Sequence, residues 1–150
     1  MRAVIQRVEF ASVMINGKMK SEIGPGLLLF VGIEEDDNDD DIRWLCGKIL
    51  KLRIFDDEEG IMNLSVSDID GEIMVISQFT LHASTRKGNR PSYIKAAKPE
   101  YAVPIYLRFV ENLGREHNRE IKTGEFGALM KISLLNDGPV TILIDTKNKE

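Results

Sequence analysis

Cysteine occurs once in this chain and histidine twice. The single thiol, Cys46, leaves no intramolecular disulfide and no cysteine-cluster metal centre. His82 and His117 do not cluster with other soft ligands, so no metal site is expected. No P-loop, GxGxxG, HExxH or nucleophile-elbow motif is present. No apolar run approaches the ~18 residues of a membrane-spanning helix. The longest, Leu27 to Gly32, is strand-sized. The opening Met1-Arg2-Ala3-Val4-Ile5-Gln6-Arg7 turns polar too soon for a secretory signal peptide. These absences point to a reducing, cytoplasmic setting, with no metal, no cofactor and no membrane partner expected.

What is present fits one domain spanning residues 1–150, 43% of it hydrophobic and able to fill a core. The formal net charge of -4 argues against a dedicated nucleic-acid coat protein. The charge is unevenly spread, however. Residues 34–41 hold seven acids in eight positions. Residues 84–98 carry Arg86, Lys87, Arg90, Lys95 and Lys98 and no acid. Such a patch either holds phosphates or is ordinary solvated surface.

Strand-like stretches cover about residues 2–9, 12–16 and 18–23, with Asn16-Gly17 as a hairpin turn that tolerates positive φ. Leu27 to Ile33 reads as a strand buried on both faces. The acids of 34–41 open a helix, where the macrodipole favours them. Its apolar stripe is Ile42, Leu45, Cys46, Ile49 and Leu50, which makes Cys46 a core residue. A hairpin is expected over 53–64, a strand over 73–81, and a polar loop over 82–98. A second helix carries Ile105, Leu107, Phe109, Val110 and Leu113, its regular part starting near Pro104. Two closing strands, about 129–135 and 140–145, flank a turn at Asn136-Asp137-Gly138-Pro139, and the tail 146–150 frays. The sum is an α+β fold, a mainly antiparallel β core with two principal flanking helices.

Chemistry is sparse at this level. His117 lies in a polar stretch near a helix end and reads as a surface residue. On an extended chain Thr80 and His82 share a face, which makes a Thr nucleophile with a His base conceivable. Side chains at i and i+2 rarely align for proton transfer.

Two segments nevertheless resemble the signatures of a known family. Ser77-Gln78-Phe79-Thr80 and Asn136-Asp137-Gly138-Pro139-Val140-Thr141 are similar to the two motifs of the D-aminoacyl-tRNA deacylases. The likeness extends to residues 1–8, Leu52-Arg53-Ile54-Phe55, Met62-Asn63-Leu64-Ser65, Thr85-Arg86-Lys87-Gly88 with Arg90-Pro91-Ser92, and Thr123-Gly124-Glu125-Phe126-Gly127-Ala128. His82 stands where that family commonly has Tyr, and Leu129 where it commonly has an acid.

The resemblance implies a barrel-like β core and hydrolysis of the ester between a D-amino acid and tRNA. It implies a homodimer with active sites at the subunit interface. Ser77, Gln78, Phe79 and Thr80 would form the pocket floor. Gly138 and Pro139 of the other subunit would enter with a cis peptide bond and reject L-amino acids. Arg7 would brace that motif across the interface, Met130 would line the pocket, and Asn136 and Thr141 would support it. Arg86, Lys87 and Arg90 would meet tRNA phosphates. Glycyl-tRNA(Ala) would pass the same filter. Backbone N–H groups near Phe79 and Thr80 would bind the oxyanion, with the substrate 2′-hydroxyl assisting the water. Thr80 as covalent nucleophile and a non-catalytic tRNA-binding module remain the alternatives.

Overall fold

Alternating apolar residues build the first strand, β1 (Arg2–Ile15), whose inward side chains include Ala3, Ile5, Ala11 and Val13. A computed structural model describes all of residues 1–150. β1 runs unbroken through the join expected between two short strands. Its antiparallel partner β8 (Lys131–Asp145) follows it along its length, with register shifts between Gln6 and Val8 and between Val8 and Phe10. Bulges absorb the irregular pattern, so neither strand ends there.

β8 is correspondingly one strand where two were expected. Asn136 to Pro139 form a bulged excursion within it, not a hairpin turn. The composition is that of a turn because the chain must bend there, but β1 supplies partners on both sides.

β1 also pairs antiparallel with β2 (Lys18–Ile23) and β3 (Gly26–Gly32). β3 then pairs in parallel with β6 (Glu72–Ser77), and β6 in parallel with β7 (Lys122–Thr123). The expected α+β class with two flanking helices stands. Its six-stranded, barrel-like sheet is mixed, with the parallel pairs β3–β6 and β6–β7 running to one end of the strand order. β4 (Phe55–Asp56) and β5 (Met62–Leu64) form the small hairpin expected over 53–64.

β3 is buried on both faces because two hydrophobic clusters flank it. Leu27, Leu29 and Val31 join the cluster beneath the helices, and Leu28 joins the one enclosed on the other side. Each fully buried aliphatic side chain contributes ~1.5–3 kcal/mol.

The helices complete the larger cluster. α1 (Asp39–Lys51) begins at Asn38, whose side chain accepts from the Asp40 and Asp41 N–H groups, while the Asp41 carboxylate accepts from the Asn38 N–H in a capping box. Cys46 lies on its inner face, and burial pushes the thiol up to about 11, as suits a core residue. α2 (Pro99–His117) starts five residues before Pro104. Pro99 occupies the first turn, where a missing N–H costs nothing. Pro104 forfeits only the bond to the exposed Glu100 carbonyl.

His117 is buried, not a surface residue. Its Nε2 lies 2.7 Å from the Gly71 carbonyl and its Nδ1 3.4 Å from Ser67 Oγ, tying the end of α2 to the 65–71 loop. The last residues make contacts too. Lys147 Nζ lies 2.8 Å from Asp41 Oδ2, and Lys149 sits 4.5 Å above the Trp44 ring. No helix is long and apolar enough to cross a membrane.

Candidate active site

β6 is the central parallel strand, and it stops at Ser77, four residues earlier than expected. Gln78 still pairs, its N–H donating to Val31 O at 2.8 Å. The chain then enters a 3₁₀ turn, Phe79–His82. The turn overturns the shared-face geometry for Thr80 and His82. His82 points inward and is 1% exposed, with Nδ1 2.7 Å from Glu34 Oε1 but off the line of a hydrogen bond. Thr80 Oγ1 instead accepts from Gln78 Nε2 at 2.6 Å. The Leu81 N–H closes the turn on Gln78 O at 3.2 Å. The N–H groups of Phe79 and Thr80, which open it, have no partner inside the turn.

A cavity of about 550 Å³ lies beside this turn. Ser77, Gln78, Phe79 and Met130 all line it, so four of the expected residues come together. Phe126, Gly127 and Ala128 form another wall, and Val31 and Ile76 of the sheet, with Ile33 just past β3, are apolar neighbours. Apolar walls with a few polar groups at one end are the usual build of a small-ligand site. Thr80 is not among the lining residues.

Tyr93 was not singled out in the sequence. It stands at the rim, 5.0 Å from Phe79 in a T-shaped pair, and both rings are exposed, Phe79 at 56% and Tyr93 at 39%. Aromatic edge-to-face contact orients both rings. No local pattern marks Tyr93, because its partner lies 14 residues away across a loop (93 minus 79).

That loop holds the basic residues. Ser84 and Ser92 exchange backbone hydrogen bonds at 2.8 and 2.9 Å and pinch its base beside Tyr93. Arg86, Lys87 and Arg90 are exposed within it, and none forms an ion pair.

The second signature lies elsewhere. Gly138 and Pro139 are exposed, do not line the cavity, and are joined by a cis peptide bond. The mount beneath them is stiff. Asn136 Nδ2 donates to the carbonyls of Arg7 and Val140, each at 3.0 Å. Arg7 is buried and donates to Asp137 O at 3.1 Å and Ile54 O at 2.7 Å. Within one chain, Arg7 holds the motif of that same chain. The register shift beyond Gln6 places its side chain under residue 137. Thr141 Oγ1 accepts from Gln6 Nε2 at 3.2 Å, on the same strand pair.

Comparison with known proteins bears on this arrangement. The family model for D-Tyr-tRNA(Tyr) deacylase matches residues 4–145. A Bacteroides thetaiotaomicron protein named D-aminoacyl-tRNA deacylase is 67% identical over 150 residues, covering 100% of both chains. A Flavobacterium johnsoniae protein of the same name is 61% identical, again over 100% of both. A solved structure titled c-Myc DNA Unwinding Element Binding Protein superposes with a TM-score of 0.92 at 41% identity, covering 97% of this chain and 98% of that one. Another, titled as a probable eukaryotic D-amino acid tRNA deacylase, shares the fold at a TM-score of 0.83 and 16% identity, covering 95% of this chain and 97% of that one.

The family match and the curated relatives define the class as a hydrolase. The chain belongs to the D-Tyr-tRNA(Tyr) deacylase family.

Proposed function

We propose that this chain hydrolyses the ester between a D-amino acid and the terminal ribose of tRNA, as a cytoplasmic homodimer that removes D-amino acids from the translation pool. One observation carries the reading. The two signature segments are separate in one chain: Ser77 to Phe79 line a cavity, while Gly138-Pro139 project into solvent on a stiff mount. A second copy reconciles them, its Gly138-Pro139 entering this chain's cavity. β8 offers a surface for that copy. It pairs only with β1, so its other edge is unpaired, and Leu143 on it is 66% exposed.

The chemistry follows from the residues at hand. Water attacks the ester carbonyl carbon and the C–O bond to the ribose breaks. The ribose oxygen leaves with a proton. The free N–H groups of Phe79 and Thr80 are donors for the developing oxyanion; one such donor is worth ~3 kcal/mol. The substrate 2′-hydroxyl assists the water. Thr80 as nucleophile is disfavoured, since its hydroxyl is engaged by Gln78 and His82 is buried against Glu34. The exposed Phe79–Tyr93 pair suits stacking of the terminal base. Arg86, Lys87 and Arg90 suit the phosphates behind it.

Chirality is read by main-chain carbonyls of Gly138 and Pro139, which accept from the substrate ammonium and leave no room for an L side chain. Glycyl-tRNA(Ala) has no side chain to reject and passes. A second reading, a binding module without turnover, draws on the same basic loop and rim aromatics. Incubation with D- and L-tyrosyl-tRNA separates the two. Release of D-tyrosine alone is expected, and retention of both esters with tRNA binding intact would overturn the hydrolase reading.

A further inference from the structure

Gly124 lies behind the cavity wall, and its missing side chain is filled by a neighbour. A Cβ built there would stand 2.3 Å from Met130 Sδ, 3.7 Å from Met130 Cε and 3.3 Å from Ile76 Cδ1. Met130 and Ile76 both line the cavity; Gly124 does not. The thioether is therefore sandwiched between the Gly124 backbone and the open volume.

Backbone strain is not the reason for glycine here. Gly124 lies outside the left-handed region adopted by Gly127 and Gly138, so an L residue can take its conformation. What an added methyl meets is a flexible side chain with one unfilled direction to move. Ile76 blocks one side, and close-packed interiors offer no other space. Met130 must swing into the cavity. Methionine is the residue type best able to do so, having three rotatable bonds.

We infer that Gly124 is a positioning residue that sets the depth of the cavity by giving the Met130 thioether its seat. The inference rests on the cavity being the substrate site, and it names what sizes that site. Gly124→Ala narrows the cavity without touching the polar groups of Ser77 to Thr80. Substrate binding should suffer and the chemical step should not.

The test uses Gly124→Ala, Met130→Ala and the double variant on D-tyrosyl-tRNA. Gly124→Ala should raise KM about tenfold with kcat within about twofold, a binding loss of ~1.4 kcal/mol. The double variant should return KM to the Met130→Ala value, because no thioether remains to be displaced. Spectra of ¹³C-methyl-methionine protein supply a readout independent of turnover: among the methionine methyls, that of Met130 should shift most in Gly124→Ala. A shifted Met130 methyl in a protein that never cleaves D-tyrosyl-tRNA would uphold the seat and reject the substrate reading. An unmoved Met130 methyl, or an unrescued double variant that melts early, would overturn the inference itself.

Discussion

Gln78 donates its side-chain amide to Thr80 Oγ1 at 2.6 Å, and this bond spans the residues that open the 3₁₀ turn. The hydroxyl is thereby an acceptor within a scaffold. A nucleophile would instead need a base at its proton, and the nearest imidazole in sequence, His82, faces Glu34.

Thr80→Ala should accordingly keep kcat/KM on D-tyrosyl-tRNA within about tenfold of wild type, the size of one neutral hydrogen bond. Loss of a covalent nucleophile costs on the order of a millionfold. Single-turnover rates with far-ultraviolet circular dichroism decide between them. A folded but inactive variant would restore the nucleophile.

Gly138→Ala should strike the second signature. At φ +132° an L residue is strained, and its Cβ would lie 2.8 Å from Val140 Cγ2 and 3.1 Å from Arg7 Nη2. The strain is ~1–3 kcal/mol, relieved by moving the carbonyls. The ratio of D- to L-tyrosyl-tRNA hydrolysis should drop at least about tenfold. An unaltered ratio at an unaltered rate would detach this motif from chirality.

Lys87 and Arg90 sit unpaired in the pinched loop beside Tyr93. Replacing both with Ala should weaken tRNA binding and flatten the plot of log K against log salt by about two units of slope. Binding titrations at several salt concentrations check this. An unchanged slope would make the loop mere solvated surface.

The Lys147–Asp41 pair predicts a pH dependence of stability. Burial alone would raise the Asp41 carboxyl, but hydrogen bonds from Lys147, Thr146 and the Asn38 N–H hold it below its ordinary value. A depressed carboxylate stabilises the fold above its unfolded value and loses that contribution as pH falls through the folded one. The hydrogen bond to Asp41 likewise raises Lys147, so its share persists until strongly alkaline pH. Lys147→Met should therefore cost about 1 kcal/mol near pH 7, allowing for the partial exposure of Lys147. The gap from wild type should close as pH falls through the depressed Asp41 titration, below the ordinary carboxylate range. Denaturant melts across pH test it; a gap that is constant with pH would assign the cost to packing.

Much of the fold was readable where a local pattern suffices. The unbroken Leu27–Val31 run announces a strand between two clusters, and the acidic run of 34–41 announces the opening of α1. What stayed hidden depends on distant partners. Asn136 to Pro139 reads as a turn because only β1, more than 120 residues away, keeps the flanking segments one strand. His117 reads as exposed because its neighbours in sequence are polar, while the Gly71 carbonyl that accepts it comes from another loop. The site shows the same division. Ser77 to Phe79 follow from a signature motif and Met130 from the family resemblance, whereas Tyr93 and the seat at Gly124 exist only once the chain has folded.

The site turn is a direct continuation of β6, which is flanked in register by β3 and β7 and whose Ile73, Met74 and Val75 are fully buried. Nothing flexible separates the turn from β6, which is paired on both sides. The amide of Gln78 is locked to Val31 O, so it cannot exchange with deuterium until β3 and β6 part. The energy needed to open this turn thus approaches that of unfolding the whole molecule. Such an enzyme has no soft intermediate in which the pocket is lost and the body survives. On heating, its activity and its near-ultraviolet dichroism should vanish along one curve.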